Sequence, residues 1–113
     1  MQAEKDPTTL ELSLNKDLFR SGELVSMQVL ITSEKMMTDA EVHIYGIYAS
    51  RYRLNETVSA DIVPGENKVT FAYTAPSCNT CAGIRAGTYT IEAELIYLGK
   101  AVARDRKEIE IRQ

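Results

Sequence analysis

Residues 10–32 read LELSLNKDLFRSGELVSMQVLIT, and their alternation decides the fold class. Leu10, Leu12 and Leu14 alternate with Glu11, Ser13 and Asn15. After a turn, Val25, Met27, Val29 and Ile31 alternate with polar Ser26, Gln28 and Thr32. A period of two places every apolar member on one side of an extended strand, whereas a helix would spread them around its axis. Between the two runs, Arg20-Ser21-Gly22-Glu23 is a turn signal, and Gly22 is the residue that accepts a positive backbone dihedral.

The same pattern continues along the chain. Val42 and Ile44 face inward within residues 41–49, and Gly46 is expected at a bulge. Residues 33–39 read as a polar turn in which residues 34–37 can form a short helical turn. Val58, Ala60 and Ile62 resume the alternation, and Val63-Pro64-Gly65-Glu66 closes it. Val69, Phe71 and Tyr73 share one face before Ala75-Pro76 ends that strand. Tyr89, Ile91, Ala93, Leu95 and Tyr97 share another, followed by a tight turn at Gly99-Lys100. The final strand, residues 101–111, slips parity between Val102 and Ile109, which predicts a bulge within it. Residues 1–9 are a polar lead, and residues 10–113 form one domain. About seven strands at this spacing predict an all-β fold, an immunoglobulin-like β-sandwich of two antiparallel sheets.

The chain has 113 residues, 44% hydrophobic and 26% charged, with a formal net charge of -3. One core of that size leaves no room for a second. The acidic balance argues against nucleic acid as partner, because phosphate backbones require a basic footprint. Basic residues are scattered, apart from Arg104, Arg106 and Lys107. Apolar runs fall far short of a bilayer span, so no direct membrane insertion is expected. The polar N-terminus lacks the features of a signal peptide, as a piece cut from a larger precursor also would.

Few residues can carry chemistry. Thioredoxin-like redox catalysis would need Cys78 at a helix N-terminus, and Cys78-Asn79-Thr80-Cys81 follows a proline-terminated strand in a loop. A zinc site would need two further ligands, and His43 is the single histidine. The expected state is a local Cys78–Cys81 disulfide worth about 2 kcal/mol that braces the Ser77–Gly87 connection, with two free thiols as the alternative. No catalytic, cofactor-binding or metal-binding residue is assigned, and no cofactor or enzymatic activity is expected. His43 reads as a strand residue satisfied by hydrogen bonds. Asn55-Glu56-Thr57 is an N-glycosylation acceptor triplet with Asn55 as carrier. Tyr45, Tyr48 and Tyr52 with Arg51 and Arg53 form an aromatic-basic group suited to a surface protein or glycan. The expected use of the rings is nevertheless burial in the sandwich with the hydroxyls left at its rim, and partner contact is the alternative. Glu92 and Glu94 are expected to pair with Arg104 or Arg106 across the Gly99 hairpin.

Gly22, Glu23, Val25, Met27, Val29 and Ile31, together with Gly87-Thr88-Tyr89-Thr90-Ile91 and Val63-Pro64-Gly65, give the chain its family likeness. Over residues 10–111 it resembles the CARDB-like and immunoglobulin-like domains of bacterial and archaeal cell-surface proteins. The resemblance implies a non-catalytic structural or adhesion module of a larger cell-surface or secreted protein, extracellular, with neighbouring domains of the same polypeptide as partners. It defines no catalytic motif, so no active residue follows from it. An arrestin-like sandwich has a similar cadence at Gly46 and at Phe71 to Pro76, and implies an intracellular adaptor. An accessory domain attached to an enzyme is the other alternative.

Overall fold

The two runs that decide the fold class become antiparallel neighbours. Strand β1 (Thr9–Leu14) pairs with β3 (Leu24–Ser33), and β3 pairs in turn with β6 (Gly65–Thr74). Register aligns the apolar residues in rows: Leu14–Met27–Phe71 and Leu12–Val29–Val69. The computed structural model describes residues 8–75 and 85–112. Within them a second sheet is ordered β2-β8-β7-β4-β5, built from β2 (Leu18–Arg20), β4 (Met37–Tyr48), β5 (Tyr52–Ile62), β7 (Gly87–Tyr97) and β8 (Lys100–Arg112). Its inner face contributes Val42, Ile44, Ile91, Ala93, Leu95, Ile109 and Ile111, all buried against the three-stranded sheet. Each large apolar side chain removed from water in this way stabilises the fold by about 1.5–3 kcal/mol. The architecture is the expected all-β sandwich, with eight strands in place of about seven.

The additional strand is β2. Three residues carry no readable period, so residues 16–23 look like one long turn in the sequence. In the structure Leu18, Phe19 and Arg20 run parallel to Glu110, Ile111 and Arg112, and the Phe19 ring is completely buried. The first segment of the chain therefore begins in one sheet and ends in the other. The turn into β3 is where the sequence places it, with Gly22 at φ 85°. Glu23 fastens this turn by accepting hydrogen bonds from the Arg20 N–H and the Lys16 ammonium. Those donors, the backbone one first, hold its carboxyl below the usual glutamate range.

Several boundaries differ from the sequence reading. Residues 34–36 form a bend with no helical turn, fixed by the Ser33 hydroxyl, which donates to the Lys35 carbonyl and accepts from its N–H. Strand β1 starts at Thr9, one residue inside the polar lead. The β5–β6 turn is confined to Val63 and Pro64 because Asn67 staples it, accepting from Val63 N–H and donating to the Val63 carbonyl. Val58 lies on the inward side, opposite Val42, yet it is 36% exposed. Five strands overhang three, and the smaller sheet does not cover β5 there.

The parity slip in the last strand has a definite origin. Leu95 pairs with Ala103 and Ile96 with Ala101, so Val102 is the extra residue of a bulge. Beyond it, Ala103, Asp105, Lys107, Ile109 and Ile111 share the inward side. Asp105 is tolerated there because its Oδ2 accepts the Leu12 N–H at 2.9 Å across the gap between the sheets. That bond occupies a donor on the edge of β1 that none of the described strands pairs.

The β7–β8 hairpin turns on Leu98 and Gly99, with φ of 53° and 79°. Two positive φ values are what a type I′ turn demands, and asparagine meets the first of them at less steric cost than leucine. Leu98 is 82% exposed, so little packing is lost by replacing it. Leu98→Asn is expected to raise stability by about 1 kcal/mol, read as a higher urea midpoint at unchanged slope.

Candidate contact surface

The outer face of the five-stranded sheet carries the polar and aromatic residues singled out in the sequence. Alternation sends His43 and Tyr45 outward from β4, and register places Thr57 and Asn55 beside them on β5 and Glu94 and Glu92 on β7. Arg104 and Arg106 follow on β8. The cross-hairpin pairing expected from the sequence is present as register pairs Glu94–Arg104 and Glu92–Arg106, the first with Arg104 Nη2 3.7 Å from Glu94 Oε2. At that distance, and with the Arg104 side chain largely in solvent, a pair of this kind contributes at most about 1 kcal/mol, so the row orders the surface more than it stabilises the fold.

Four rings run down this face. His43 stacks on Tyr45 with centroids 4.6 Å apart, Tyr45 meets Tyr52 edge-on at 5.2 Å, and Tyr52 meets Tyr48 edge-on at 5.0 Å. Tyr45 is partly buried, and burial followed by the Glu92 and Glu94 carboxylates pushes its hydroxyl above the usual tyrosine range. Tyr48 and Tyr52 are 61% and 47% exposed. The structure therefore does not bury these two rings in the sandwich. Tyr48 reaches the surface because Ile47 takes a positive φ of 53° and turns into the core directly after Gly46. Inward and outward sides thus reverse beside Gly46, but the register with β5 runs through Gly46 unshifted, so the bulge expected there is absent and the register shift of β4 lies between Met37 and Ala40. Arg51 is exposed on the β4–β5 connection, and Arg53 is tied back through its Nε–H to the Ala49 carbonyl.

His43 is the centre of a network that sequence reasoning did not assemble. Its Nε2 lies 2.7 Å from Asn55 Oδ1, and its Nδ1 lies 3.4 Å from Glu94 Oε1. The expectation that the ring is satisfied by hydrogen bonds holds, although its partners come from two neighbouring strands. Pairing register is the missing signal, since only it brings residues 43, 55 and 94 together. Asn55 is exposed on β5, so the acceptor triplet sits on an edge strand rather than in a loop. Cys78 and Cys81, with most of the Ser77–Gly87 connection, lie outside the described residues. At the near end of that connection the Tyr89 hydroxyl donates to the Arg85 carbonyl. Among the described residues no three His, Cys, Asp or Glu side chains are grouped so as to hold a metal ion, and no helix is long and apolar enough to cross a membrane.

No family model matches the chain, and no curated protein matches it. Solved structures do. A sporulation control protein of Bacillus subtilis, Spo0M, superposes with a TM-score of 0.63 at 18% identity over 94% of this chain. The chain spans 49% of that protein's length. An alkylpurine DNA glycosylase of Pseudomonas fluorescens, solved bound to DNA, matches with a TM-score of 0.62 at 11% identity, 96% of this chain covering 31% of the enzyme. The CARDB domain of a Pyrococcus furiosus protein, solved in complex with di-metal ions, matches with a TM-score of 0.63 at 18% identity, over 99% of this chain and 98% of its own. The chain therefore has the CARDB-like, immunoglobulin-like β-sandwich fold, here with three strands facing five.

Proposed function

We propose that this chain is a non-catalytic binding module of a larger cell-surface or secreted protein, and that it meets a surface protein through the Tyr45, Tyr48 and Tyr52 ridge. The observation that supports this most is the exposure of Tyr48 and Tyr52 in a mutually packed cluster, with exposed Arg51 preceding Tyr52 in the chain. Aromatic and arginine side chains are the groups that most often anchor interfaces. Edge-on rings offer faces and edges at steep angles, which suits protein side chains better than the flat face of a sugar.

The test is a titration followed by tyrosine fluorescence, which the absence of tryptophan makes readable. Candidate surface-protein ectodomains and oligosaccharides serve as the two ligand sets. Tyr48→Ala with Tyr52→Ala is expected to weaken ectodomain binding at least about tenfold, close to 1.4 kcal/mol. Because both rings are exposed, the thermal midpoint should move little. Binding that ignores the double variant would overturn the reading, and a response to sugars alone would transfer the ridge to glycan recognition.

Under the same proposal Cys78 and Cys81 are oxidised to each other, and Asn55 is available as a glycan carrier. Intact mass after thiol blocking, with and without reduction, reads both. A second reading has its own support: the matched glycosylase and an Erythrobacter marinus β-glucosidase are much longer chains, of which the fold occupies 31% and 15%. An accessory domain beside an enzyme would show a catalytic domain in the same polypeptide.

A further inference from the structure

A sandwich of two open sheets has four edges, and exposed edges invite further pairing unless they are guarded. At β1 the Leu12 N–H is taken by Asp105. At β2 the strand is only three residues long. Strand β6 carries Lys68 near its middle, a residue type that discourages pairing. Strand β5 is different. It runs eleven residues as YRLNETVSADI, with no lysine and no proline, and its one charge on the inward side is Glu56, opposite Ile44. Its register with β4 is unbroken from Ala60 to Tyr52, and the register shift between Met37 and Ala40, opposite Asp61, places the extra residue on β4 and not on β5.

We propose that β5 pairs antiparallel with β5 of a second copy of this chain, about a two-fold axis at Thr57, joining two five-stranded sheets into one. A two-fold normal to the sheet requires opposed residues to point to the same side, so the registers differ by steps that place one residue opposite itself. An axis at Glu56 sets two carboxylates face to face, and an axis at Val58 shortens the paired stretch. With the axis at Thr57 all eleven residues are used. Thr57 opposes Thr57, Asn55 opposes Ser59, and Arg53 opposes Asp61 at both ends. Glu56 opposes Val58, so no like charges stand directly opposite each other, and the two Glu56 carboxylates are only diagonal neighbours. The overhang fits as well. Val58 is 36% exposed on the side the smaller sheet leaves bare, and in this register each copy's Val58 lies diagonal to the other's.

The experiment uses protein made without N-glycans and carrying Cys78→Ser and Cys81→Ser. Thr57→Cys in that background is expected to form a disulfide-linked dimer under mild oxidation. Ser59→Cys should not link to itself, but should link to Asn55→Cys when the two are mixed. Separately, sedimentation equilibrium of the unsubstituted chain should show a dimer, and Thr57→Lys should raise its dissociation constant at least about tenfold. Thr57 is exposed, so that variant is expected to stay folded, which circular dichroism checks. A monomer at hundreds of micromolar, or equal linking rates for Thr57→Cys and Ser59→Cys, would overturn the proposal.

Discussion

Gly46→Ala is expected to unfold the domain or lower its stability by about 3 kcal/mol or more. A Cβ on Gly46 would overlap the Thr90 carbonyl oxygen and lie 2.7 Å from the Ile91 Cα, both backbone atoms of β7. Overpacking in a close-packed interior usually costs about 1–3 kcal/mol when side chains can shift, and here the obstacle is main chain within a paired strand. Relief would require β4 and β7 to separate at the last of their register pairs, Gly46–Ile91. Gly22→Ala provides the comparison. Gly22 has a positive φ, but no heavy atom lies within 4 Å of where an alanine methyl would sit, so that change carries backbone strain of about 1–2 kcal/mol and no clash. Urea unfolding followed by far-ultraviolet circular dichroism orders the two. Equal midpoints would show that backbone approach at Gly46 is not limiting.

Phe19→Ala is expected to cost about 3–5 kcal/mol, in the range for truncating a buried aromatic. Its effect should exceed that of truncating β6 residues such as Val69, which is only partly buried. Phe19 is fully enclosed, and it is the one core side chain of a three-residue strand whose backbone bonds are few. Ser21 donates its N–H to the Arg112 carbonyl and Glu110 donates its N–H to Asp17. Those bonds persist only while the ring anchors Leu18 to Arg20 against β8. Loss of protection at the Glu110 and Ser21 amides in hydrogen exchange, ahead of global unfolding, is the local signature of this anchoring.

The contrast between these two positions explains what the sequence discloses. Val25, Met27, Val29 and Ile31 are legible because a buried face imposes period two over many residues, and all four are buried. Phe19 is illegible as a strand residue because three residues cannot show a period. Asp105 and Lys107 obscure β8 for a different reason. They occupy inward positions beside the open edge of β1, where a carboxylate can meet a backbone donor, so polarity there no longer reports orientation. The contact surface divides in the same way. Tyr48 and Tyr52 could be named from aromatic-basic clustering, whereas the Asn55–His43–Glu94 network depends on strand order. The sequence alone offers no rule for that order.

The route of the first segment through both sheets also sets the order in which the molecule can be completed. Leu12 reaches Asp105 across 93 positions and Ser21 reaches Arg112 across 91, so the opening strands wait for the closing one. Closing loops of such span carries an entropic cost before any contact compensates it, and β topologies of this kind fold in milliseconds to seconds. Until residues 105–112 are in place, β2 lacks its partner strand and Phe19 has no wall to pack against. During synthesis, therefore, Phe19 waits uncovered until the last strand has emerged.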